Sequence, residues 1–249
     1  MKRWTLAAML IACFQSGNLY AHEENTMNTE SVRVDASNLS RQQQAIIPIS
    51  AFAAAGDIGR LGPALHAGLD AGLSVSETRE VLVQVYAYAG FPRSLNALGE
   101  LMNVLQVRRE LGIFDEPGRE PVKPIPTGDA LLAAGTANQT RLVGGPVAGP
   151  LFDFAPQANE YLRTHLFGDI FERDNLDWHA RELATVSMLS GLTGVASQLQ
   201  SHMGISMNIG LDADALGALV SVLEEQVGPE AAQRADAALQ RTLESRRTK

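Results

Sequence analysis

The chain has 249 residues, 45% hydrophobic and 6% aromatic, enough aliphatic material for one large domain or two small ones. Its formal net charge is −8, so no nucleic-acid partner is expected, because phosphate binding needs a basic face. The single cysteine, Cys13, lies close to the start, so the rest of the chain must be stabilised by packing and not by disulfides.

Residues 1–21 read as a signal peptide. Lys2-Arg3 is a positive leader, Trp4 to Phe14 an apolar run, and Leu19-Tyr20-Ala21 ends in the small residue that signal peptidase prefers. The run is too short to span a bilayer. Cleavage after Ala21 would remove two positive charges and take the net charge from −8 to −10. Leu10-Ile11-Ala12-Cys13 also reads as a lipobox, so the expectation is an exported, periplasmic protein, with a lipid anchor through Cys13 as the alternative. Residues 22–39 are polar and aperiodic, and read as a flexible arm.

Helical signals follow. Ser40 and Gln43 fit a capping box ahead of Ile46, Ile47, Ile49 and Phe52, with Pro48 a place for a kink. A helix is expected from about Gly59 to Asp70, and another from Val75 to Ala89 behind a Ser74/Glu77 box, stopped by Gly90-Phe91-Pro92. Ser94 to Leu111 completes a first unit, residues 40–112. Residues 113–127 carry Pro117, Pro121, Pro124 and Pro126 and read as a linker.

A second unit, residues 128–227, starts with a helix over Asp129–Leu142 and a Gly/Pro loop at 144–150. An amphipathic stretch covers 156–173. Helices then run from an Asp177 cap to Ser190, from Val195 to Ile209, and onward from an Asp212 cap. A charged C-terminal helix fills residues 228–249. No stretch alternates with period two, so the fold class expected is all-α, two related helical units joined by the Pro-rich linker. The units are diverged copies: each passes a Gly-Leu-(Ser/Asp) turn, Gly72-Leu73-Ser74 and Gly210-Leu211-Asp212. They keep different chemical groups, which favours one composite site.

Several side chains could carry chemistry. His202 shares a helical face with Gln198 four residues earlier, and imidazole is the usual proton carrier near neutrality. The alternative is a histidine tied to a backbone carbonyl. Glu182 lies on the preceding helix, and the Gly191/Gly194 break would let the two helices pack and join carboxylate to imidazole. Its alternative is an ion pair with Arg181 or Arg173. Glu80 could be a second acid/base, though a surface carboxylate beside Arg79 is the plainer reading. Tyr86, Tyr88 and Phe91-Pro92 could wall an apolar pocket, or simply pack and stop a helix. Arg93 and Asn96 stand near a helix N-terminus that suits a substrate carboxylate; otherwise Arg93 is solvated. Asn208 reads as a C-cap. No metal-ligand spacing and no phosphate loop occurs, so no metal and no cofactor is expected.

On Tyr88-Ala89-Gly90-Phe91-Pro92, Arg181-Glu182-Leu183-Ala184-Thr185, His202 and Asn208-Ile209-Gly210, most of residues 40–225 resembles the carboxymuconolactone decarboxylase family, which includes alkylhydroperoxidase D-like proteins. The resemblance implies an alkylhydroperoxidase D-like all-α bundle that forms homo-oligomers. It further implies cofactor-free acid–base chemistry, decarboxylation or isomerisation, on a small carboxylate or lactone. In that scheme His202 moves the proton, Glu182 orients it, Gln198 and Arg93 hold substrate oxygens, Asn96 adds a donor, and Tyr88 and Phe91 exclude water.

The chain departs from the family twice. The Cys-x-x-Cys pair of the peroxidase branch is absent from Val195 to His202, and serine cannot run that thiol cycle. Gln84 stands where the decarboxylase branch often has a histidine, and an amide cannot move a proton. A non-catalytic binding or assembly protein, or a thiol-free relative without peroxidase activity, is the alternative.

Overall fold

The computed structural model describes residues 38–248. The leader and nearly all of the arm, including Cys13, lie outside the described residues. The described residues are all-α: α1 Arg41–Ala55, α2 Ile58–Asp70, α3 Val75–Ala89, α4 Phe91–Glu110, α5 Asp129–Val143, α6 Pro150–Phe154, α7 Pro156–Tyr161, α8 Trp178–Gly191, α9 Ala196–Asn208, α10 Ala213–Gln226 and α11 Pro229–Arg247. A π-helical segment, Leu162–Ile170, continues α7. Among the described residues no helix is long and apolar enough to cross a membrane.

The starts of the helices follow from local chemistry. Ser40 and Ser74 each accept from the N3 amide while Gln43 and Glu77 reach back to the cap amide. Asp57, Asp177 and Asp212 cap α2, α8 and α10 in the simpler way. Pro48 does not interrupt α1. Gly90 serves as C-cap of α3 and N-cap of α4 at once, so Phe91-Pro92 opens a helix, where proline's missing N–H costs nothing, and the fourth helix begins three residues earlier than expected. Likewise the stretch 156–173 is not one α-helix, and the 144–150 loop runs into the short α6.

α1 and α8 form the axis of the molecule. On α1, Ile46, Ile49 and Phe52 enter one apolar cluster with α2, α3 and α4, while Ile47 and Ala51 enter another with α9, α10 and α11. On α8, Ala180, Ala184 and Met188 face the first cluster, and Leu183, Val186 and Leu189 the second. Every residue from Ala180 to Ser190 is buried, as expected of a helix surrounded on all sides. The two sequence units therefore share their cores instead of standing apart. A third cluster joins Leu142 of α5, Leu166, Phe167 and Ile170 of the π-helix, and Ile205 of α9. The contact of α5 with the π-helix depends on Gly135, where a Cβ would overlap the Arg163 carbonyl.

Residues 113–127 act as a strap. The free N–H groups of Val75 and Ser76 at the start of α3 donate to the carbonyls of Glu116 (2.9 Å) and Pro117 (3.0 Å). Ser76 Oγ donates to the Arg119 carbonyl at 2.8 Å. Arg119 pairs with Asp174, Lys123 with Glu172, and Glu120 with Arg79. The sequence predicts a linker at these residues; proline removes the donors that would make helix, and the carbonyls left over are spent on α3.

Candidate functional site

Two neighbouring residues of α8, Arg181 and Glu182, point to different sides of the helix, as a turn of about 100° per residue requires. Both are 0% exposed. Arg181 turns to α3: its Nη2 donates to Glu80 Oε1 (2.9 Å) and the Arg173 carbonyl (2.8 Å), and its Nη1 to Gln84 Oε1 (3.1 Å). Burial holds the guanidinium below its ordinary pKa, opposed chiefly by the charge of Glu80.

Glu80 is also buried. It accepts from Arg173 Nε at 2.9 Å and from Asn175 Nδ2 at 3.3 Å. The surface pairing of Glu80 with Arg79 is thus overturned: Arg79 goes to Glu120, and Glu80 turns inward because two arginines compensate its charge there. Gln84 donates to the Arg181 carbonyl (3.0 Å) and to Thr185 Oγ1 (2.8 Å). Its amide is committed on both ends, so it is not available to a substrate.

Glu182 turns the other way, to α9. Its Oε2 lies 2.8 Å from His202 Nδ1. With a carboxylate accepting from Nδ1–H, Nε2 carries the lone pair and is the nitrogen that can take a proton. The His202 side chain keeps 10% of its surface open. Tyr88 meets the imidazole edge-on, with ring centroids 5.5 Å apart and planes at 79°. Tyr88 packs against all three apolar clusters. Burial, and then the negative charge of Glu182, push the phenol's pKa up, so it stays protonated. Among the described residues Glu182 Oε1 has no hydrogen-bond partner, although the atom is covered. Thr185, beside the phenol, opposes the rise through a hydrogen bond to it, and its Oγ1 is also engaged with Gln84 and the Arg181 carbonyl.

The other residues singled out in the sequence are not gathered here. Gln198 is exposed, and its Oε1 accepts from Ser197 Oγ at 2.9 Å. Phe91 is 61% exposed and stacks on Tyr86, centroids 4.5 Å apart. Asn96 is exposed on α4. Arg93 donates to the Ala54 carbonyl at the C-terminal turn of α1. Asn208 caps a neighbour and not its own helix, donating to the carbonyls of Leu142 and Val143 at 2.9 Å each.

A groove of about 430 Å³ runs between α1 and α2 over Pro48, Phe52, Pro63 and Ala64, and one of about 740 Å³ follows α5 past Leu132, Thr136 and Arg163. His202, Glu182 and Tyr88 line neither of them.

The polar cluster of Glu80, Gln84, Arg173, Asn175 and Arg181 was not assembled from sequence. Its one sequence signal is polar Arg181 and Thr185 at i and i+4 among apolar residues of α8. Among the described residues no group of three or more His, Cys, Asp or Glu side chains could hold a metal ion. Compared with known proteins, the chain matches no protein-family model and no curated protein.

Proposed function

We propose that this protein is a cofactor-free acid–base enzyme that decarboxylates or isomerises a small carboxylate or lactone, in the manner of the carboxymuconolactone decarboxylase family it resembles. The observation that carries this reading is the buried Glu182–His202 pair at 2.8 Å. A buried carboxylate is costly unless a partner compensates it, and here the partner is the side chain best suited to carry protons near neutrality. Glu182 fixes the ring so that Nε2 acts as base; the imidazolium formed is held by the carboxylate and then returns the proton. Tyr88 shields one side of the ring.

The test is deuterium incorporation. In D₂O, a panel of small lactones, keto acids and hydroxy acids is followed by proton NMR with wild type and with His202→Ala. Wild type is expected to exchange hydrogen next to a carbonyl in at least one member, and His202→Ala to lose that exchange. Equal exchange by both proteins would refute the reading.

A second reading, assembly through a helix face, is favoured by α4. Phe91, Leu95 and Met102, at 61%, 61% and 71% exposure, recur at near-heptad spacing. Catalysis and assembly are compatible, and a homo-oligomer is part of the proposal. Light scattering giving a monomer mass would remove it.

A further inference from the structure

The connection between α5 and the π-helix carries apolar side chains that its own chain leaves uncovered. Gly149-Pro150 and Ala155-Pro156 start the two short helices α6 and α7, and neither contains a buried residue. α6 packs mainly on α7. On α6, Leu151 is 69% exposed and Phe154 88%, three residues apart and so on one face. A helix this short is far below the roughly 12–15 residues at which helices hold alone in water, so this knob calls for a surface to lie on. Its charge is one-sided as well. Residues 144–162 contain Asp153 and Glu160 and no basic residue. Among the described residues neither carboxylate has a salt bridge.

The groove of about 740 Å³ along α5 has the complementary character. Ala133 and Ala137 line it and lie open. The hydroxyls of Thr136 and Thr140 donate to the Leu132 and Thr136 carbonyls of the same helix, at 2.6 and 2.8 Å, so this wall needs no polar partner. Arg141, Arg163 and Asp129 also line the groove and leave it net positive. Arg141 lies over the Trp178 ring, 4.8 Å from its centroid, and Arg163 reaches the Asn159 carbonyl at 3.4 Å. Among the described residues neither guanidinium has a carboxylate within salt-bridge distance.

From this match we infer that the α5 groove is the seat for α6 of a second copy of this chain. Leu151 and Phe154 lie against Ala133, Thr136 and Ala137, while Asp153 and Glu160 meet Arg141 and Arg163. Knob and groove are different surfaces of one chain, so a two-fold axis fills both grooves at once and closes the contact between two copies. This face is separate from the exposed stripe of α4, and the two contacts do not depend on each other. An anionic lipid surface is a poorer occupant for the knob, because both of its charges are negative.

The full chain carrying Cys13→Ser has no other cysteine and serves as background for cross-linking. One version adds Phe154→Cys, a second adds Ala137→Cys, and the two are mixed and oxidised. A cross-linked pair is expected in the mixture, well above what either version yields alone. No such pair in the mixture overturns the inference. So does a chain bearing both cysteines that closes the bond within itself, because α6 then lies in its own groove.

Light scattering supplies the second test. Phe154→Asp is expected to halve the mass measured for wild type at micromolar concentration and to keep the helical circular dichroism, since the side chain is open in the single chain. Arg141→Glu with Arg163→Glu is expected to do the same, and Asp153→Lys with Glu160→Lys added in that chain to restore the mass. A mass halved by Met102→Asp and unmoved by Phe154→Asp overturns the α6 contact and leaves assembly through α4 standing. A wild type that stays monomeric overturns both.

Discussion

Glu182 Oε2 and His202 Nδ1 lie 2.8 Å apart across the contact of α8 with α9, the carboxylate wholly buried and the imidazole nearly so. Among the described residues neither has another side-chain hydrogen bond that could replace this one. In His202→Ala the carboxylate stays behind with no partner. Hydrogen bonds to charged groups contribute about 1.5–3 kcal/mol, so a loss of that order in urea unfolding is expected. Glu182→Gln keeps the shape and removes the charge. It is expected to fold and to lower deuterium exchange on a responsive substrate by about 10² or more.

The Glu80 cluster ties α3 to α8. Glu80→Ala leaves Arg181 and Arg173 without the carboxylate both lean on, and breaking a buried pair in this way costs about 3–5 kcal/mol. Replacing Arg181 and Glu80 together by apolar residues of similar volume is expected to recover much of that loss, because desolvation is then relieved on both sides. Chemical denaturation of the three proteins checks this, and a double variant no more stable than Glu80→Ala would contradict it.

Asp174 governs acid sensitivity of the strap. Its pKa drops from 3.8 to about 2, first because Arg119 hydrogen-bonds its carboxylate and then because the Val122 amide does. A group lowered on folding stabilises the protein above its unfolded pKa, and the gain disappears as pH falls through the folded value. The contribution of Asp174 is therefore present above about pH 4 and fades between pH 3.8 and about 2. Asp174→Asn should flatten the stability–pH curve in that window, followed by circular dichroism.

Gly118 lets the strap reach α3. Its φ is +73°, and a Cβ there would fall 2.5 Å from Ser74 Cβ, at the cap of α3. Gly118→Ala is expected to destabilise by at least about 1 kcal/mol and to expose the Val75 and Ser76 amides, read as faster hydrogen exchange at those two positions. Protected amides in the variant would argue against the strap's capping role.

The helices were legible in the sequence because capping is local. Ser40/Gln43 and Ser74/Glu77 are three residues apart, and their hydrogen bonds need no other part of the chain. The approach of Glu182 to His202 was legible for a related reason: 20 residues with one Gly-rich break leave two consecutive helices few ways to pack. The amphipathic pattern of 156–173 does not reveal that a π-helical segment continues α7, nor that its backbone meets α5 at Gly135, a contact between separate segments. Glu80 reads as a surface carboxylate for the same reason, since its partner Arg181 lies 101 residues away.

By itself the sequence determined that this chain is helical, where most helices begin, and that one imidazole and one carboxylate belong together, because propensity, capping and short connections act within a few turns. Only the tertiary structure decided which charges neutralise which. An ion pair inside a protein depends on desolvation and on partners brought from distant helices, and α1 and α8, buried side by side, set those distances for every polar group around them.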